Sequence, residues 1–345
     1  MTIRIALAGN PNCGKTTMFN NLTGANQYVG NWPGVTVEKK EGKLKGKKDV
    51  IITDLPGIYS LSPYTLEEVV SRDYILNEHP DVIVNLVDAT NIERNLYLTT
   101  QLIETGVPVV IALNMADLLE KREIKIDTER LSMVLGCPII ETSALKGDGL
   151  NKLMEEAIRT ANTKEVELPA DIFSADLEKA IENVKQQLPA SITEDKKRWY
   201  AVKLLENDSK VSESMSLGTA ARSVVEDARK ALESKHDNDM ESIVTDERYQ
   251  FIQKVVKTTV KKAKGKLTVS DRIDQIVTNR ILGIPIFIAV MFIVYYISVS
   301  TVGTFVTDWT NDVFVVAIQD AVSGFLKSLG ASEMILSLVV DGIVG

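Results

Sequence analysis

The sequence predicts an α/β domain, a small all-α domain and a transmembrane helix, in that order, on three observations. Up to about residue 165, buried strand-like runs alternate with helical stretches, which is typical of βαβ units around a mainly parallel sheet. From about residue 169 the β-branched runs disappear, and apolar residues recur at helical spacing among charged ones. Residues 281–307 carry no charge and are long enough to cross a bilayer.

Five strands are expected in the α/β domain because each is a short apolar run bounded by turn residues. They are residues 4–8, 50–54, 82–88, 107–113 and 138–141. Helical stretches such as 94–104 and 150–159 lie between them. Residues 35–45 and 49–54, joined around Gly46, predict one antiparallel hairpin within the sheet.

The all-α domain is expected to hold four helices with charged outer faces. They are residues 175–187, 194–206, 219–236 and 246–264, with Pro189 and polar joints between them. After the charge-free stretch, residues 313–329 and 334–344 are apolar and helical in pattern. Asp320, Lys327 and Asp341 interrupt them, so neither is predicted as a second span.

Composition and charge exclude several classes of protein. The 345 residues are 45% hydrophobic and 25% charged, which excludes a disordered or collagen-like chain. The two cysteines, Cys13 and Cys137, are too few for a disulfide scaffold and suit a reducing compartment. The net charge of −8 argues against broad nucleic-acid binding.

The charge changes sign along the chain. Residues 1–253 carry −10, residues 254–280 carry +6 and residues 308–345 carry −4. A basic flank before an apolar stretch indicates a transmembrane helix whose N-terminal side is cytoplasmic. The alternative is a helix buried in a large soluble core, but the run is long and uniform for that. We therefore expect the helix at residues 281–303, with residues 304–345 on the opposite side.

Residues 9–16 (GNPNCGKT) fit the phosphate-loop pattern, in which a glycine and four residues precede Gly-Lys-Thr. The motif follows a predicted strand and opens a predicted helix, which is the context that its chemistry needs. Backbone N–H groups and the helix N-terminus favour an anionic phosphate there. Lys15 is expected to reach the β- and γ-phosphates, and the Thr16 hydroxyl is expected to bind Mg²⁺.

Three further motifs follow successive strands. Residues 54–57 (DLPG) offer a carboxylate, Asp54, for Mg²⁺ and a glycine N–H, at Gly57, for the γ-phosphate. Residues 114–117 (NMAD) offer an amide and a carboxylate that can read a guanine edge, and residues 143–145 (SAL) offer N–H groups for its oxygen. Each motif is common alone. Their order at the carboxyl ends of the strands predicts a Ras-like P-loop GTPase domain.

Two positions bear on hydrolysis. Ile58 follows Gly57, where many GTPases place a glutamine that orients the attacking water. No arginine stands in the loop 26–36 either. Asn12 is the candidate to compensate, because its side-chain carbonyl can hold a monovalent cation beside the phosphates; the alternative is that it only satisfies the loop's own backbone. Thr36 is the candidate to close on Mg²⁺ and the γ-phosphate, unless it is an ordinary threonine at a strand start.

Five segments of the chain resemble the bacterial ferrous iron transporter B family. They are GNPNCGKTT at 9–17, VGNWPGVTVE at 29–38, DLPGIYSL at 54–61, VDATNIERNL at 87–96 and RIDQIV at 272–277. The resemblance implies a GTPase domain at 1–165, a helical domain that inhibits nucleotide dissociation at 166–268 and a juxtamembrane segment at 269–280. It further implies that residues 304–345 begin a transport domain whose later membrane helices carry iron.

The resemblance also implies ligands. K⁺ would activate hydrolysis, held by Asn12 and by backbone carbonyls near Gly30 and Trp32, while Thr16, Thr36 and Asp54 would hold Mg²⁺. Asn12, Lys15, Thr36 and Gly57 would take part in GTP hydrolysis. Residues expected to contact GTP or GDP are Gly9, Asn10, Pro11, Asn12, Cys13, Gly14, Lys15, Thr16, Thr17, Gly34, Val35, Thr36, Asp54, Leu55, Pro56, Gly57, Asn114, Met115, Asp117, Ser143, Ala144 and Leu145.

The function expected from these features is a GTP-hydrolysing cytoplasmic module that regulates or drives Fe²⁺ import across the bacterial inner membrane. Its partners would be membrane lipid, the rest of the membrane domain and small accessory proteins of iron uptake, but not nucleic acid. The oligomeric state stays open. The alternatives are a membrane-anchored regulatory GTPase without a transport role and a soluble ribosome-linked GTPase, which the charge-free stretch disfavours.

Overall fold

The computed structural model describes residues 2–24, 27–119, 123–164, 166–215, 217–262, 273, 276–279 and 283–344. The chain divides into two compact units, Met1–Gly265 and Lys266–Gly345. The first unit contains a seven-stranded sheet with helices on both faces and, beside it, a group of helices. This is the Ras-like P-loop fold followed by an all-helical domain, and the predicted fold class is confirmed.

The sheet has the order β2-β3-β4-β1-β5-β6-β8. Its strands are β1 (Ile3–Gly9), β2 (Gln27–Asn31), β3 (Glu38–Leu44), β4 (Lys47–Asp54), β5 (Val82–Asp88), β6 (Val109–Asn114) and β8 (Ile139–Glu141). Strands β4, β1, β5, β6 and β8 are parallel, whereas β2 and β3 run antiparallel to their neighbours. The predicted hairpin around Gly46 is therefore β3–β4. A separate pair joins β7 (Ile124–Ile126) to β9 (Val260–Lys262).

Helices cover both faces of the sheet because its central strands are apolar on both sides, as parallel strands usually are. The helices of this part are α1 (Lys15–Thr23), α2 (Leu66–Asp73), α3 (Ile92–Glu104), α4 (Thr128–Leu135) and α5 (Leu150–Thr163). One apolar cluster lies under α1 and α5 and includes Phe19 and Leu153. The other lies under α2 and α3 and extends into the helical domain.

The helical domain contains α6 (Ala175–Lys185), α7 (Glu194–Leu205), α8 (Ser209–Ser214), α9 (Thr219–His236) and α10 (Met240–Thr259). Helix α10 packs against α3 of the sheet domain. There Arg248 of α10 donates to Glu104 of α3 at 2.5 Å, and both side chains are 1% exposed. A buried ion pair therefore joins the two parts of this unit.

Several predicted elements differ from the structure. Helix α10 begins at Met240 rather than 246, because the Asp239 side chain caps it by accepting from Ser242 N at 2.9 Å. It ends at Thr259, before residue 264, because Val260 pairs with Ile126 in the β7–β9 ladder. Part of the loop predicted at 26–36 is strand β2.

In the second unit one continuous helix, α11, runs from Gly283 to Ser328 and contains π-helical stretches. Among the described residues it is the one helix long and apolar enough to cross a membrane. The predicted start at 281 lies outside the described residues. The predicted end at 303 is wrong as the end of the helix, because the helix continues to Ser328. Nothing in the sequence after Gly303 interrupts the helical hydrogen bonds until Gly330, which has φ +77°. A shorter helix, α12 (Glu333–Leu336), follows and continues as a π-helix over Ser337–Val344.

Candidate functional site

The phosphate loop connects β1 to α1 and turns sharply at two residues. Asn12 has φ +64° and Gly14 has φ +93°, the left-handed region that favours glycine and tolerates asparagine. A Cβ at Gly14 would lie 2.4 Å from Asn114 Nδ2, so only glycine allows this close approach. Helix α1 begins at Lys15, and its first-turn N–H groups lie at the loop. The loop therefore has the conformation that a phosphate-binding loop requires.

Lys15 contacts Asp54, which ends strand β4. The Lys15 ammonium lies 3.0 Å from Asp54 Oδ1, and the side chains are 10% and 6% exposed. Burial raises the pKa of the Asp54 carboxyl, while the adjacent Lys15 ammonium acts to lower it. The structure thus brings together the predicted phosphate lysine and the predicted Mg²⁺ carboxylate.

The segment after Asp54 is held against β1 by backbone hydrogen bonds. Leu55 N donates to Leu7 O at 3.0 Å, and Ile58 N donates to Gly9 O at 3.2 Å. The Ile58 side chain is 2% exposed and packs in the core. A Cβ at Gly57 would lie 3.1 Å from Pro11 Cα, so Gly57 stands directly beside the phosphate loop. Position 58 has a core role, and its side chain has no access to a bound phosphate.

Asn114 connects three loops of the site. Its side-chain Nδ2 donates to Cys13 O at 2.7 Å, and its Oδ1 accepts from Ala144 N at 2.8 Å. The side chain is 2% exposed. Asn21 of α1 adds a second link by donating to Ala144 O at 2.6 Å. The Asn114 amide therefore positions the phosphate loop and the 143–145 loop, and Asp117 is the more accessible group for base recognition.

Asp117 lies beside Lys146, with 3.3 Å between the carboxylate and the ammonium. Desolvation acts to raise the pKa of Asp117, but hydrogen bonds from Lys146 and Ser143 hold it below its usual value. Asp117 is thus an ionised acceptor at neutral pH. Sequence reasoning missed Lys146 and Asn21, although Lys146 directly follows the 143–145 motif.

The segment that leads to Thr36 is anchored by Trp32, whose side chain is buried in the core. The Trp32 ring contacts the Tyr74 ring edge-on, with 5.3 Å between the ring centres. The Trp32 backbone carbonyl accepts a hydrogen bond from Val35 N at 3.3 Å. Gly30 lies in β2 opposite Lys39. Thr36 is exposed, and no hydrogen bond between described residues joins it to the phosphate loop. The structure does not place Thr36 against Lys15 and Asp54 by a contact.

The donor groups near the phosphate loop fit the two predicted cations by their chemistry. Thr16 is exposed at the first turn of α1, and its hydroxyl with the Asp54 carboxylate provides the oxygen ligands that Mg²⁺ prefers. Asn12 is exposed and offers an amide carbonyl oxygen, a suitable ligand for a monovalent cation. Both predicted cation sites therefore have oxygen donors.

Two family models match the first unit. The family described as "Ferrous iron transport protein B" matches residues 3–157, and the "FeoB cytosolic helical domain" matches residues 173–261. The two matches correspond to the sheet with its helices and to the helical group.

Individual relatives agree. The Fe(2+) transport protein A/Fe(2+) transporter FeoB fusion protein of Porphyromonas gingivalis is 40% identical over 99% of this chain and 42% of its own length. The Fe(2+) transporter FeoB of Shigella flexneri is 39% identical over 87% of this chain and 39% of its own length. The chain thus spans about two fifths of the curated relatives that it matches.

Solved structures of the S. thermophilus NFeoB resemble the first unit closely. A mutant of that protein bound to mGDP is 49% identical, with a TM-score of 0.73 over 75% of this chain and 100% of that chain. The mGMPPNP-bound protein is 49% identical, with a TM-score of 0.67 over 76% of this chain and 99% of that chain.

Proposed function

Because this chain belongs to the ferrous iron transport protein B family, we propose that its GTPase module governs Fe²⁺ passage through a membrane domain of which α11 is one helix. The observation that carries the nucleotide assignment is Asn114, whose amide fixes the phosphate loop to the 143–145 loop. Among the described residues, no three His, Cys, Asp or Glu side chains form a metal-binding group.

The residues of the first unit divide the work of binding GTP. Lys15 neutralises the β- and γ-phosphates, and the N–H groups of residues 9–17 surround them. Asp117 accepts from the guanine ring N–H and amino group, while N–H groups of residues 143–145 meet the guanine oxygen. Gly34, Val35 and Thr36 close over the triphosphate from the side of β2. Leu55, Pro56, Gly57 and Met115 shape the walls through their backbone.

The chain's own groups then promote attack of water on the γ-phosphate, which yields GDP and phosphate. Thr16, Thr36 and Asp54 would hold Mg²⁺, and Asn12 with carbonyls near Gly30 and Trp32 would hold K⁺. When bound, these cations supply positive charge that stabilises the phosphoryl oxygens. The Gly57 N–H and the Lys15 ammonium donate to the same oxygens. Because Ile58 is buried, water is oriented by backbone groups and not by a side chain at position 58.

Replacing Asn12 with alanine should remove activation by K⁺. The variant loses one oxygen ligand of an electrostatic site, and such groups are worth on the order of 10²-fold in rate. GTP hydrolysis is measured in KCl and in NaCl, with ATP as the comparison nucleotide. The expected result is a fast rate in KCl for the parent and equal, slow rates in both salts for Asn12→Ala.

The exposed Asn151→Ala on α5 is the matched control and should keep full stimulation by K⁺. Equal rates in KCl and NaCl for the parent chain would contradict the K⁺ site while leaving the GTPase assignment intact. Failure to hydrolyse GTP in either salt would contradict the proposed activity itself.

Replacing Asp117 should change base recognition. Asp117→Ala loses two charge-assisted hydrogen bonds, so the affinity for GTP should fall by roughly 10²- to 10³-fold. Asp117→Asn presents an amide donor in place of one acceptor, which suits the carbonyl that xanthine carries where guanine has its amino group. Displacement of a bound fluorescent GDP analogue by GTP and by XTP measures both the affinity for GTP and the preference between guanine and xanthine. Asp246→Ala, an exposed carboxylate of α10, is the control, and unchanged guanine preference in Asp117→Asn would exclude the assignment.

We further propose that the module lies on the cytoplasmic side of a bacterial inner membrane. The basic residues 254–280 precede the apolar helix, which is the arrangement of a cytoplasmic N-terminal side. The fusion in the P. gingivalis relative supports an accessory protein as a partner. The same features suit a membrane-anchored regulatory GTPase, and Fe²⁺ uptake by cells that express the whole transporter separates the two.

A further inference from the structure

The turn between β3 and β4 is a basic, exposed feature of an otherwise acidic unit. Lys43, Lys45, Lys47 and Lys48 are all exposed there, and we call these four residues the lysine hairpin. The acidic residue beside them is Asp49. Further along β3, Lys39 and Lys40 differ because they pair with Glu41 and Glu38 at 3.5 and 3.1 Å.

Three members of the lysine hairpin have uncommitted ammonium groups. Lys45 donates to Asn21 O at 2.8 Å. Lys43, Lys47 and Lys48 make no side-chain hydrogen bond or ion pair with any described residue. Positive charge here is not used inside the protein, so it is available to an external anion.

An exposed aromatic side chain lies on the same side of the sheet. Tyr28 of β2 pairs with Glu41 of β3. Glu41 and Lys43 are two positions apart on β3, so Tyr28, Glu41 and Lys43 project from one face. Tyr28 is 69% exposed and lines one hollow with Lys43, Lys45 and Lys48. Glu41 also lines this hollow, and its carboxylate is paired with Lys39. Tyrosine beside lysines is the composition of membrane–water interfaces, since the ring suits the headgroup depth and the ammonium binds phosphate.

We propose that the lysine hairpin and Tyr28 dock on anionic lipid headgroups of the bilayer. The proposal rests on the membrane attachment of the chain but not on nucleotide hydrolysis. Residues 263–282 join the first unit to the apolar helix, and a chain of that length reaches at most about 70 Å. The hairpin is therefore presented to the bilayer at high effective concentration.

Charge complementarity favours the bilayer as the binding partner of the lysine hairpin over a second copy of this acidic chain. The cytoplasmic leaflet offers a continuous layer of phosphates, and each nearby lysine adds about 1 kcal/mol of attraction, about fivefold in the contact equilibrium. A second copy offers scattered acidic groups, many of them already in ion pairs such as Arg198–Glu178.

The experiment places one fluorescent label at the hairpin of the full chain in lipid nanodiscs that hold a single copy. Gly46→Cys serves as the label site, because a Cβ there meets no atom within 4 Å, although its φ of +79° adds modest strain. The native Cys13 and Cys137 are buried, so labelling is selective. The quencher is a nitroxide on the lipid headgroup, and the discs contain phosphatidylcholine alone or with phosphatidylglycerol added.

Quenching should appear in discs with phosphatidylglycerol and vanish in phosphatidylcholine alone. Lys43→Gln/Lys48→Gln should weaken the contact equilibrium roughly 25-fold, at about fivefold per lysine. Lys152→Gln/Lys179→Gln removes two exposed lysines elsewhere and should leave quenching unchanged. All variants should hydrolyse GTP at the parent rate, which separates this test from that of the GTPase.

Three results would overturn the proposal. They are equal quenching with and without anionic lipid, equal loss of quenching in the control pair, and a change in label fluorescence that appears only in a parallel sample of discs that hold two copies. The last result would assign the face to contact between copies of the chain.

Discussion

Lys15→Ala should reduce GTP hydrolysis on the order of 10³-fold, and this is the largest effect on activity that we expect from one side chain. Lys15 is the lysine of the phosphate loop, and its ammonium already lies 3.0 Å from the Asp54 carboxylate. Preorganised charge at a transferring phosphoryl group is typically worth 10²- to 10³-fold or more. Single-turnover hydrolysis and fluorescent-GDP binding, measured separately, distinguish loss of chemistry from loss of affinity.

The same substitution should also alter stability, because Asp54 would lose its buried partner. Burial raises the pKa of Asp54, and removal of Lys15 should raise it further. The folded state then binds this proton more tightly than the unfolded state does. Stability of Lys15→Ala should therefore fall as pH rises through the raised pKa of Asp54, as melting temperatures across the acidic and neutral range would show.

A double variant separates the two roles. Lys15→Ala/Asp54→Asn removes the unpaired buried charge, so its melting temperature should recover and lose the pH slope, while hydrolysis stays lost. Lys152→Ala, at an exposed lysine of α5, should change neither property. A Lys15→Ala protein that is as active as the parent would remove Lys15 from the mechanism.

The sequence predicts the parallel strands well because each combines an apolar run with a glycine or polar residue at its end. β5 coincides with the predicted 82–88, since all but its last residue are buried. Strand β2 has the sequence QYVGN and no buried residue. Its sequence therefore lacks the run of apolar residues that predicts the buried strands. Strands β7 and β9 have three residues each, too few for a periodicity to register.

The candidate site likewise has residues that the sequence predicts and contacts that it does not. Motif spacing identifies Lys15, Asp54 and Asp117 as candidates, because a local pattern determines their chemistry. Motif spacing does not reveal that the Asn114 amide hydrogen-bonds to the backbone of Cys13 and Ala144. Those bonds form only because three loops come together in the folded chain. Lys146 shows the same limit, because a lysine in an exposed loop has no distinguishing sequence pattern.

The largest expected effect on stability belongs to the Glu104–Arg248 pair, which joins α3 to α10 across 144 positions in the sequence. Both side chains are 1% exposed, and Arg248 also stacks on Phe173, with its guanidinium carbon 5.0 Å from the ring centre. Glu104→Ala leaves Arg248 charged in the interior without its carboxylate. Removing one partner of a buried ion pair typically costs about 3–5 kcal/mol, which corresponds to a fall in melting temperature of roughly 10 °C for a unit of this size.

The pair need not stabilise the fold relative to apolar side chains, because both ions lose their hydration on burial. Glu104→Leu/Arg248→Met should therefore recover most of the stability that Glu104→Ala loses. Arg198 also lies 3.9 Å from Glu104, but losing this contact should cost little because its guanidinium keeps two bonds to Glu178 at 2.7 and 2.6 Å. Calorimetry of the detergent-solubilised chain measures Glu104→Ala and the double variant against a control at a more exposed pair, Glu182→Ala, whose partner is Lys185. If Glu104→Ala melts like that control, the buried pair is not what holds α10 against α3, and the apolar contacts between the two helices carry the interface.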